Sequence, residues 1–288
     1  MATIAWIGTG IMGASMATHI KNQGHTVFAY NRTKEKAKRL EEKGIIACET
    51  IAETVKDASI IFTMVGYPKD VEEIFLAENG IFQHAKKGAI VIDMTTSSPS
   101  LAKTLYEIGK EKGIDVLDAP VSGGDSGAKN ATLTIMVGGE EDAFNKVKPF
   151  FALLGKSIHY MGQAGNGQHT KSCNQLCVAG ATAGYTEAIA YAKLVGVDPQ
   201  KMVAAISKGA AGSWQLDNMA PRVLREDFAP GFMIHHFVKD MKIAKEIATE
   251  KGLQLPMLEA VLSQYQKMMD NGEGETGTQS LLWQYIGK

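Results

Sequence analysis

The sequence predicts an α/β protein, with a Rossmann-type doubly wound N-terminal domain and an all-α C-terminal domain joined by a long helix. Up to about residue 162, short apolar strands alternate with helical stretches, which is typical of a parallel sheet covered by helices on both faces. From residue 164 onward, strand patterns almost disappear and apolar residues recur at helical spacing. We therefore predict a dinucleotide-binding domain over residues 1–163 and a helical domain over residues 164–288.

The beginning of the chain forms one complete nucleotide-binding unit. An apolar strand, Thr3–Ile7, leads into Gly8, Gly10 and Gly13, and a helix and a second strand, Thr26–Tyr30, follow. This order distinguishes a dinucleotide site from a chance GxGxxG pattern. The three glycines allow, in turn, a tight turn, the approach of backbone amides to a pyrophosphate, and close packing of the helix on the strand. The helix N-terminus offers N–H groups and a positive dipole end to the phosphates.

The remaining elements follow from the same patterns. Further strands are predicted at residues 59–65, 89–94, 115–119, 132–137 and 157–161. Short connections between the last strands allow an antiparallel edge. Helices are predicted at residues 100–112 and 140–151, and a glycine-rich segment then leads into a helix over residues 168–195, about 40 Å long at the usual helical rise. Two more helices are predicted at residues 241–251 and 257–270.

The turn after the second strand indicates which nicotinamide cofactor is used. An NAD site usually places an acidic residue about 20 residues beyond the glycines to hold the ribose hydroxyls. Here the strand runs into Asn31, Arg32 and Thr33, and no acidic residue occurs before Glu35. A guanidinium and a hydroxyl at this position suit a 2′-phosphate, so the turn predicts NADP(H) in preference to NAD(H), which stays possible. The alternative is a solvated basic helix face.

Composition excludes several classes of function. The chain has 288 residues, of which 45% are apolar and 21% charged, with a net charge of −1, so no basic surface for nucleic acid or for an acidic membrane is expected. We expect a cytosolic protein, because no basic segment followed by an apolar run opens the chain. Three cysteines fit reduced thiols. His169, Cys173 and Cys177 share helical spacing but lack a fourth ligand, so no metal site is predicted.

Loops that leave the carboxyl ends of parallel strands are where ligands bind in such folds. Val65 ends one predicted strand and Gly66 follows it, and Thr96 lies in the loop after the next strand. A third loop carries Ser122 and two glycines, a hydroxyl beside successive backbone N–H groups that can hold a carboxylate. The alternative for this last loop is a flexible turn.

The long helix carries the candidate for the chemistry. Lys171, Asn174 and Gln175 share one face, since they are three and four residues apart. Reduction of a carbonyl by hydride requires a group that protonates the developing alkoxide, and a lysine can serve if its surroundings tune its proton affinity. The alternative for Lys171 is an exposed helix lysine.

Four separated motifs make the sequence resemble the β-hydroxyacid dehydrogenases. These are IGTGIMGASMA at residues 7–17, DAPVSGG at 118–124, GNGQHTKSCNQ at 165–175 and FVKD at 237–240. The resemblance spans essentially the whole chain. It implies an oxidoreductase that interconverts a short β- or γ-hydroxyacid and its semialdehyde, with Lys171 as general acid and base. It also implies that the helical domain forms a homodimer or homotetramer.

The resemblance also assigns site residues. It implies a cofactor site formed by Gly8, Thr9, Gly10, Ile11, Met12, Gly13, Asn31, Arg32, Thr33, Val65, Gly66, Thr96 and Lys239. Of these, Val65, Gly66 and Thr96 would contact the ribose and nicotinamide side of the cofactor. It implies a substrate site formed by Ser122, Gly123, Gly124, Asn174 and Gln175. Gln175 departs from the asparagine of many members, which bears on the size of substrate accepted.

Three alternatives remain on the sequence alone. Imine reductases share the architecture but usually lack the lysine, and 6-phosphogluconate dehydrogenases keep it but have a longer helical domain. The third is an NADP(H)-sensing protein without catalytic activity, since a fold does not guarantee a function.

Overall fold

A computed structural model describes all residues, 1–288, and the chain divides into two compact units, Met1–Lys171 and Ser172–Lys288. Each unit has its own hydrophobic core of fully buried side chains. The first unit is α/β and the second is helical. The predicted fold class is therefore confirmed.

The first unit is built on a six-stranded parallel sheet. Its strands are β1 (Thr3–Ile7), β2 (Thr26–Tyr30), β3 (Ile46–Ala47), β4 (Ile60–Thr63), β5 (Ile90–Asp93) and β6 (Asp115–Asp118). The order β3-β2-β1-β4-β5-β6 is that of a doubly wound dinucleotide-binding fold. Alternate residues of β1 enter two different cores, Ile4 and Trp6 in one and Ala5 and Ile7 in the other, so both faces of the sheet are covered.

The later strands of this unit form a second, three-stranded sheet and do not extend the first one. It consists of β7 (Val121–Ser122), β8 (Leu133–Val137) and β9 (Gly155–Tyr160). β7 pairs antiparallel with β8, and β8 pairs parallel with β9. The sequence did not predict β7, because two residues are too short for an alternating pattern to appear. A single bridge between Asp118 and Gly138 joins this sheet to the end of β6.

The helices of the first unit are α1 (Ile11–Asn22), α2 (Lys34–Lys38), α3 (Ile51–Val55), α4 (Pro68–Leu76), α5 (Ile81–His84), α6 (Pro99–Lys112), α7 (Gly124–Lys129) and α8 (Glu141–Phe151). A short 3-10 helix follows α2 at Glu41–Lys43. The start of α6 shows why it forms where it does. Ser98 Oγ accepts a hydrogen bond from Leu101 N–H, and Pro99 occupies the first turn, where its missing N–H costs nothing.

The helix α9 (Asn166–Leu194) is continuous over 29 residues, and the two units divide within it, after Lys171. The second unit continues with α10 (Pro199–Ile206), α11 (Trp214–Asn218), α12 (Ala220–Leu224), α13 (Ile234–Glu250), α14 (Pro256–Asp270) and α15 (Trp283–Ile286), with a 3-10 helix at Thr278–Leu282 before the last. None of the helices combines the length and apolarity needed to cross a membrane.

The helix α13 begins seven residues before the predicted start at residue 241. Its first two turns contain His235, His236, Lys239 and Asp240, and this polar run hides the helical pattern in the sequence. The apolar residues between them, Ile234, Phe237 and Val238, are buried, and they continue the stripe that Met241 begins.

One buried carboxylate anchors the first turn of α9. Asp118, at the end of β6, accepts hydrogen bonds from Gly165 N–H through Oδ1, at 2.7 Å, and from Gln168 N–H through Oδ2, at 2.9 Å. A helix begins with N–H groups that lack partners inside the helix, and a carboxylate is well suited to accept from them. Glycine is required at position 167, because a Cβ atom there would approach Asp118 Oδ2 to 2.8 Å.

The same burial makes Asp118 sensitive to pH. Removal from water raises the pKa of the Asp118 carboxyl group from its ordinary value of 3.8 to about 7, and the nearby charge of Asp93 adds to the rise. The backbone N–H groups of Gly165 and Gln168 lower this pKa in part. Because the folded-state pKa lies above the unfolded one, the folded protein binds more protons between about pH 4 and pH 7. The contribution of this group to the free energy of unfolding therefore falls as the pH rises through that window.

We expect Asp118→Asn to remove this pH dependence. The difference in free energy of unfolding, wild type minus variant, should fall by up to about 1.4 kcal/mol per pH unit between about pH 4 and pH 7 and become constant above pH 8. Urea unfolding at a series of pH values measures it. A constant offset reflects the lost acceptor for one backbone N–H and does not affect the slope. A difference that is flat, or that rises with pH, would contradict the raised pKa.

Candidate active site

The glycine loop after β1 has the geometry of a phosphate-binding turn. Gly8 has φ +96°, and a Cβ atom there would overlap the carbonyl oxygen of Met64. A Cβ atom on Gly13 would overlap the carbonyl oxygen of Gly8, so α1 packs directly on the turn. In contrast, a Cβ atom on Gly10 would meet nothing within 4 Å. The loop is therefore closely packed behind Gly8 and Gly13 and open in front of Gly10.

Asn31 joins this loop to the turn that follows β2. Its Oδ1 accepts from Thr9 N–H at 2.9 Å, and its Nδ2 donates to the carbonyl oxygen of Thr33 at 3.0 Å. Both ends of the amide are thus bonded to backbone, so Asn31 fixes the glycine loop and the turn relative to each other. Thr9 also has a buried side-chain oxygen, Oγ1, that has no hydrogen-bond partner.

The basic residues after β2 form ion pairs with two different carboxylates. The guanidinium of Arg32 is 78% exposed and lies 3.0 Å from Oδ1 of Asp70. Asp70 Oδ2 also accepts from Tyr67 N–H at 3.1 Å, at the start of α4. Lys34 and Lys38 both lie against Glu49. These two lysines form ordinary surface ion pairs, while Arg32 is held at the edge of the loop by an exposed pair, which is a weak interaction in water.

Two buried residues that the sequence did not single out position the loops after β4 and β5. Oδ1 of Asp93 accepts from Thr63 Oγ1 at 2.7 Å and from Thr95 N–H at 3.1 Å. Thr95 Oγ1 in turn accepts from Val65 N–H at 3.0 Å. The predicted site residues Val65, Gly66 and Thr96 are half-buried beside these groups. Asp93 and Thr95 carry a carboxyl and a hydroxyl group at the end of a strand. Their position at a strand end is the feature by which the sequence could have identified them.

The predicted carboxylate loop is ordered by secondary structure on both sides. Ser122 lies in β7, opposite Thr134, and Gly124 begins α7. Gly123 and Gly124 have φ +130° and +63°, a region of backbone conformation that favours glycine. The segment therefore joins a strand directly to a helix. All three residues, 122–124, are half-buried.

Lys171 is not an exposed helix lysine. It lies in the second turn of α9, and only 6% of its surface is exposed. A lysine is almost never so deeply buried unless its ammonium group has a partner or a function. Because Asp118 holds the first turn of this helix, the position of Lys171 in the first unit is fixed relative to the end of β6.

In the second unit, the predicted site residues form one chain of hydrogen bonds. Asn174 Nδ2 donates to Gln175 Oε1 at 2.7 Å, and Gln175 Nε2 donates to Asp240 Oδ2 at 2.7 Å. The ammonium group of Lys239 lies 3.1 Å from Asp240 Oδ1. Gln175 is buried, with both ends of its amide engaged. Asp240 is the member that sequence reasoning did not single out, although it closes the FVKD motif.

Comparison with known proteins gives two family matches. Residues 3–162 match the family described as the NAD binding domain of 6-phosphogluconate dehydrogenase. Residues 165–285 match the family described as "NAD-binding of NADP-dependent 3-hydroxyisobutyrate dehydrogenase". Together the two matches span almost the entire chain.

Individual relatives agree with these matches. The chain is 53% identical over 283 residues to the uncharacterized oxidoreductase YkwC of Bacillus subtilis, with 98% of each chain covered. It is 38% identical over 253 residues to 2-hydroxy-3-oxopropionate reductase of Escherichia coli, covering 88% of this chain and 86% of that one. A solved structure of Mycobacterium tuberculosis 3-hydroxyisobutyrate dehydrogenase with L-serine superposes with a TM-score of 0.90 at 26% identity, over 99% of both chains.

The resemblance carried by the four sequence motifs is thus confirmed, with a family model that matches more than half of the chain and relatives that cover nearly all of it. The chain belongs to the β-hydroxyacid dehydrogenase family of NAD(P)-dependent oxidoreductases.

Proposed function

We propose that the protein is an NADP(H)-dependent oxidoreductase that interconverts a short β- or γ-hydroxyacid and its semialdehyde, with Lys171 as general acid and base. The observation that carries this proposal is the burial of Lys171 at the start of α9, in a first turn anchored by Asp118. The names of the relatives support the substrate class, since 2-hydroxy-3-oxopropionate and 3-hydroxyisobutyrate are both short acids with an oxygen on the third carbon.

The residues present fit a bound dinucleotide. The space in front of Gly10 is open, while Gly8 and Gly13 are closely packed from behind. Two buried hydroxyl oxygens, Thr9 Oγ1 and Ser97 Oγ, have no hydrogen-bond partner, one beside the glycine loop and the other beside Thr96. A buried polar atom without a partner costs free energy, so a ligand that bonds to it is favoured. When bound, the nicotinamide ring supplies the hydride for reduction and accepts it in oxidation.

The residues of the chain then handle the proton and the carboxylate. In reduction, the protonated Nζ atom of Lys171 donates its proton to the aldehyde oxygen as negative charge develops there. In oxidation, the neutral Nζ atom takes the proton from the hydroxyl group. Ser122 and the N–H groups of Gly123 and Gly124 bind the substrate carboxylate. Asn174 orients the substrate, and the Gln175–Asp240 hydrogen bond fixes Asn174 in turn.

We expect Lys171→Ala to reduce kcat by about 10²–10⁴-fold, because that is the usual contribution of a positioned general acid. Lys171→Arg should stay impaired, since arginine keeps the charge but does not release a proton near neutral pH. Turnover is measured by NADPH oxidation with a panel of short semialdehydes, and NADPH binding by fluorescence.

The matched control is Lys193→Ala, which removes an exposed lysine near the end of the same helix and should leave turnover unchanged. Full activity of Lys171→Ala with the substrate that the wild type prefers would show that another group transfers the proton. Activity of the wild type on none of the panel would favour the cofactor-sensing alternative.

The preference for NADP(H) rests on Arg32 and Thr33. The surface pair between Arg32 and Asp70 is exposed, so the guanidinium can exchange Asp70 for a 2′-phosphate at small cost. A phosphate offers several acceptor oxygens and two charges, and arginine binds such groups through paired N–H donors. The family resemblance also assigns Lys239, in α13, to the cofactor site.

We expect Arg32→Asp to shift the ratio of kcat/KM values from NADPH toward NADH. Loss of a charge-assisted hydrogen bond of about 1.5–3 kcal/mol weakens NADPH use by about ten- to a hundredfold, and the new carboxylate can hold a ribose hydroxyl. Arg39→Asp makes the same charge change at the end of α2 and should leave the ratio unaltered. A wild type that prefers NADH would show that this turn does not select the cofactor.

We also propose that the helical unit forms a homodimer or homotetramer. Large apolar side chains of this unit are exposed, among them Tyr191, Leu194, Trp214 and Met257. A second copy of the chain could cover such side chains at an interface. Light scattering on the purified protein should give the mass of two or four chains of 31.0 kDa, and a single-chain mass at working concentration would rule the proposal out.

A further inference from the structure

A network of buried hydrogen bonds lies directly beneath the candidate active site in the first unit. It connects the ends of β4, β5 and β6 to the first turn of α9. Its members are Thr63, Val65, Asp93, Thr95, Ser97, Asp118, Gly165 and Gln168. Every side chain that forms these bonds is at most 5% exposed. Hydrogen bonds in such a buried network are costly to break, because a broken bond leaves an unsatisfied polar group away from water.

Gln168 is the residue that ties the helix to the loop after β5. Its Oε1 atom accepts from Ser97 N–H at 2.9 Å, and its Nε2 atom donates to the carbonyl oxygen of Thr95 at 2.7 Å. The two bonds therefore hold the backbone on either side of Thr96, the predicted contact to the nicotinamide side of the cofactor. Gln168 is 1% exposed, so its amide interacts with protein only.

We propose that Gln168 is a positioning residue that sets the place of the Lys171 ammonium group relative to the nicotinamide loop at Thr96. Lys171 lies three residues, almost one helical turn, after Gln168. The proposal rests on the proposed function of Lys171. It adds a role for a residue that touches neither substrate nor cofactor.

The geometry explains why a second anchor is needed. Asp118 fixes the start of the helix through two backbone N–H groups, both on the β6 side. The side chain of Gln168 fixes the same turn from the β5 side, through the loop that carries Thr96. With anchors on two sides, the turn can neither rotate nor slide. Proton and hydride transfer require their reacting atoms to be aligned together, and an error of about 1 Å can slow a reaction by about a hundredfold.

Glutamine is also the only common residue with a side chain of this length that can bond to Ser97 N–H and to the carbonyl oxygen of Thr95 at once. One end must accept from an N–H group and the other must donate to a carbonyl oxygen. A glutamine does both in its neutral form, and a carboxylate can only accept. The side chain therefore serves its role without a charge in the buried network.

The test uses Gln168→Met, which keeps the length of the side chain and removes both hydrogen bonds. We expect kcat per bound NADPH to fall by about ten- to a hundredfold, with little change in the NADPH dissociation constant. The primary isotope effect on kcat, measured with NADPH deuterated at the transferred position, should increase, because the chemical step becomes slower than product release. Partial unfolding alone would lower the active fraction and leave the isotope effect as in the wild type.

A matched control is Gln163→Met, the same change at an exposed position in the loop before α9, which should behave as the wild type. Gln168→Glu provides a second readout. Its ionised carboxylate would face the carbonyl oxygen of Thr95, and its protonated form could donate to that oxygen. The ratio of its kcat to that of the wild type should therefore rise as the pH is lowered.

A double-mutant cycle with Lys171→Ala separates this proposal from the proposed function. If Gln168 acts through Lys171, Gln168→Met has little further effect in the Lys171→Ala background. Equal slowing in both backgrounds would overturn the positioning role and leave the function of Lys171 intact. A Lys171→Ala variant with full turnover would refute the function itself. An unchanged isotope effect in Gln168→Met, or a flat ratio for Gln168→Glu, would overturn the positioning role.

Discussion

The candidate active site depends on one interaction, the capping of helix α9 by the buried carboxylate of Asp118. The end of a parallel sheet and the start of a long helix are joined there by two short hydrogen bonds, with glycine at position 167 to make room. Burying a carboxylate is costly unless its oxygens are hydrogen-bonded, and the N–H groups of a helix start supply those bonds. The cost appears as the raised pKa of Asp118. The benefit is that Lys171 is held by the sheet that carries the cofactor loops.

Whether a feature of the fold or the site could be predicted from the sequence depends on how far apart the interacting residues lie along the chain. β1, β2 and the glycine turn were predicted to the residue, because their signal lies within thirty consecutive positions. Lys171 was found from its helical spacing to Asn174 and from the resemblance. The roles of Asp118 and Gln168 could not be predicted, because their partners lie 47 to 73 residues away. The separate second sheet was missed for a related reason, since β7 has only two residues.

In the turn after β2, some of the basic residues form ion pairs within the fold, and only Arg32 is a candidate to bind the cofactor. Five basic residues lie between positions 32 and 39. Lys34 and Lys38 are paired with Glu49, just after β3, as expected for a solvated basic helix face. Arg32 instead meets Asp70, whose other oxygen caps the start of α4. A carboxylate placed there lowers the affinity of the guanidinium for any anion, because both compete for the same donors. If Arg32 binds a 2′-phosphate as proposed, Asp70 would make the selectivity for NADP(H) over NAD(H) moderate and not absolute.

The distribution of the site residues between the two units bears on substrate range. The first unit contains the glycine loop, Thr96, residues 122–124 and Lys171, all placed by strand ends of the two sheets. In the proposed mechanism, these groups handle the hydride, the substrate carboxylate and the proton, which are common to the reactions of all short hydroxyacids. The second unit contributes Asn174, and Gln175 reaches Asp240 with its extra methylene group. An asparagine at position 175 would be shorter by that methylene and would leave the Asp240 oxygen without this donor. Under the same proposal, discrimination among acids falls to side chains of the helical unit such as Asn174 and Gln175.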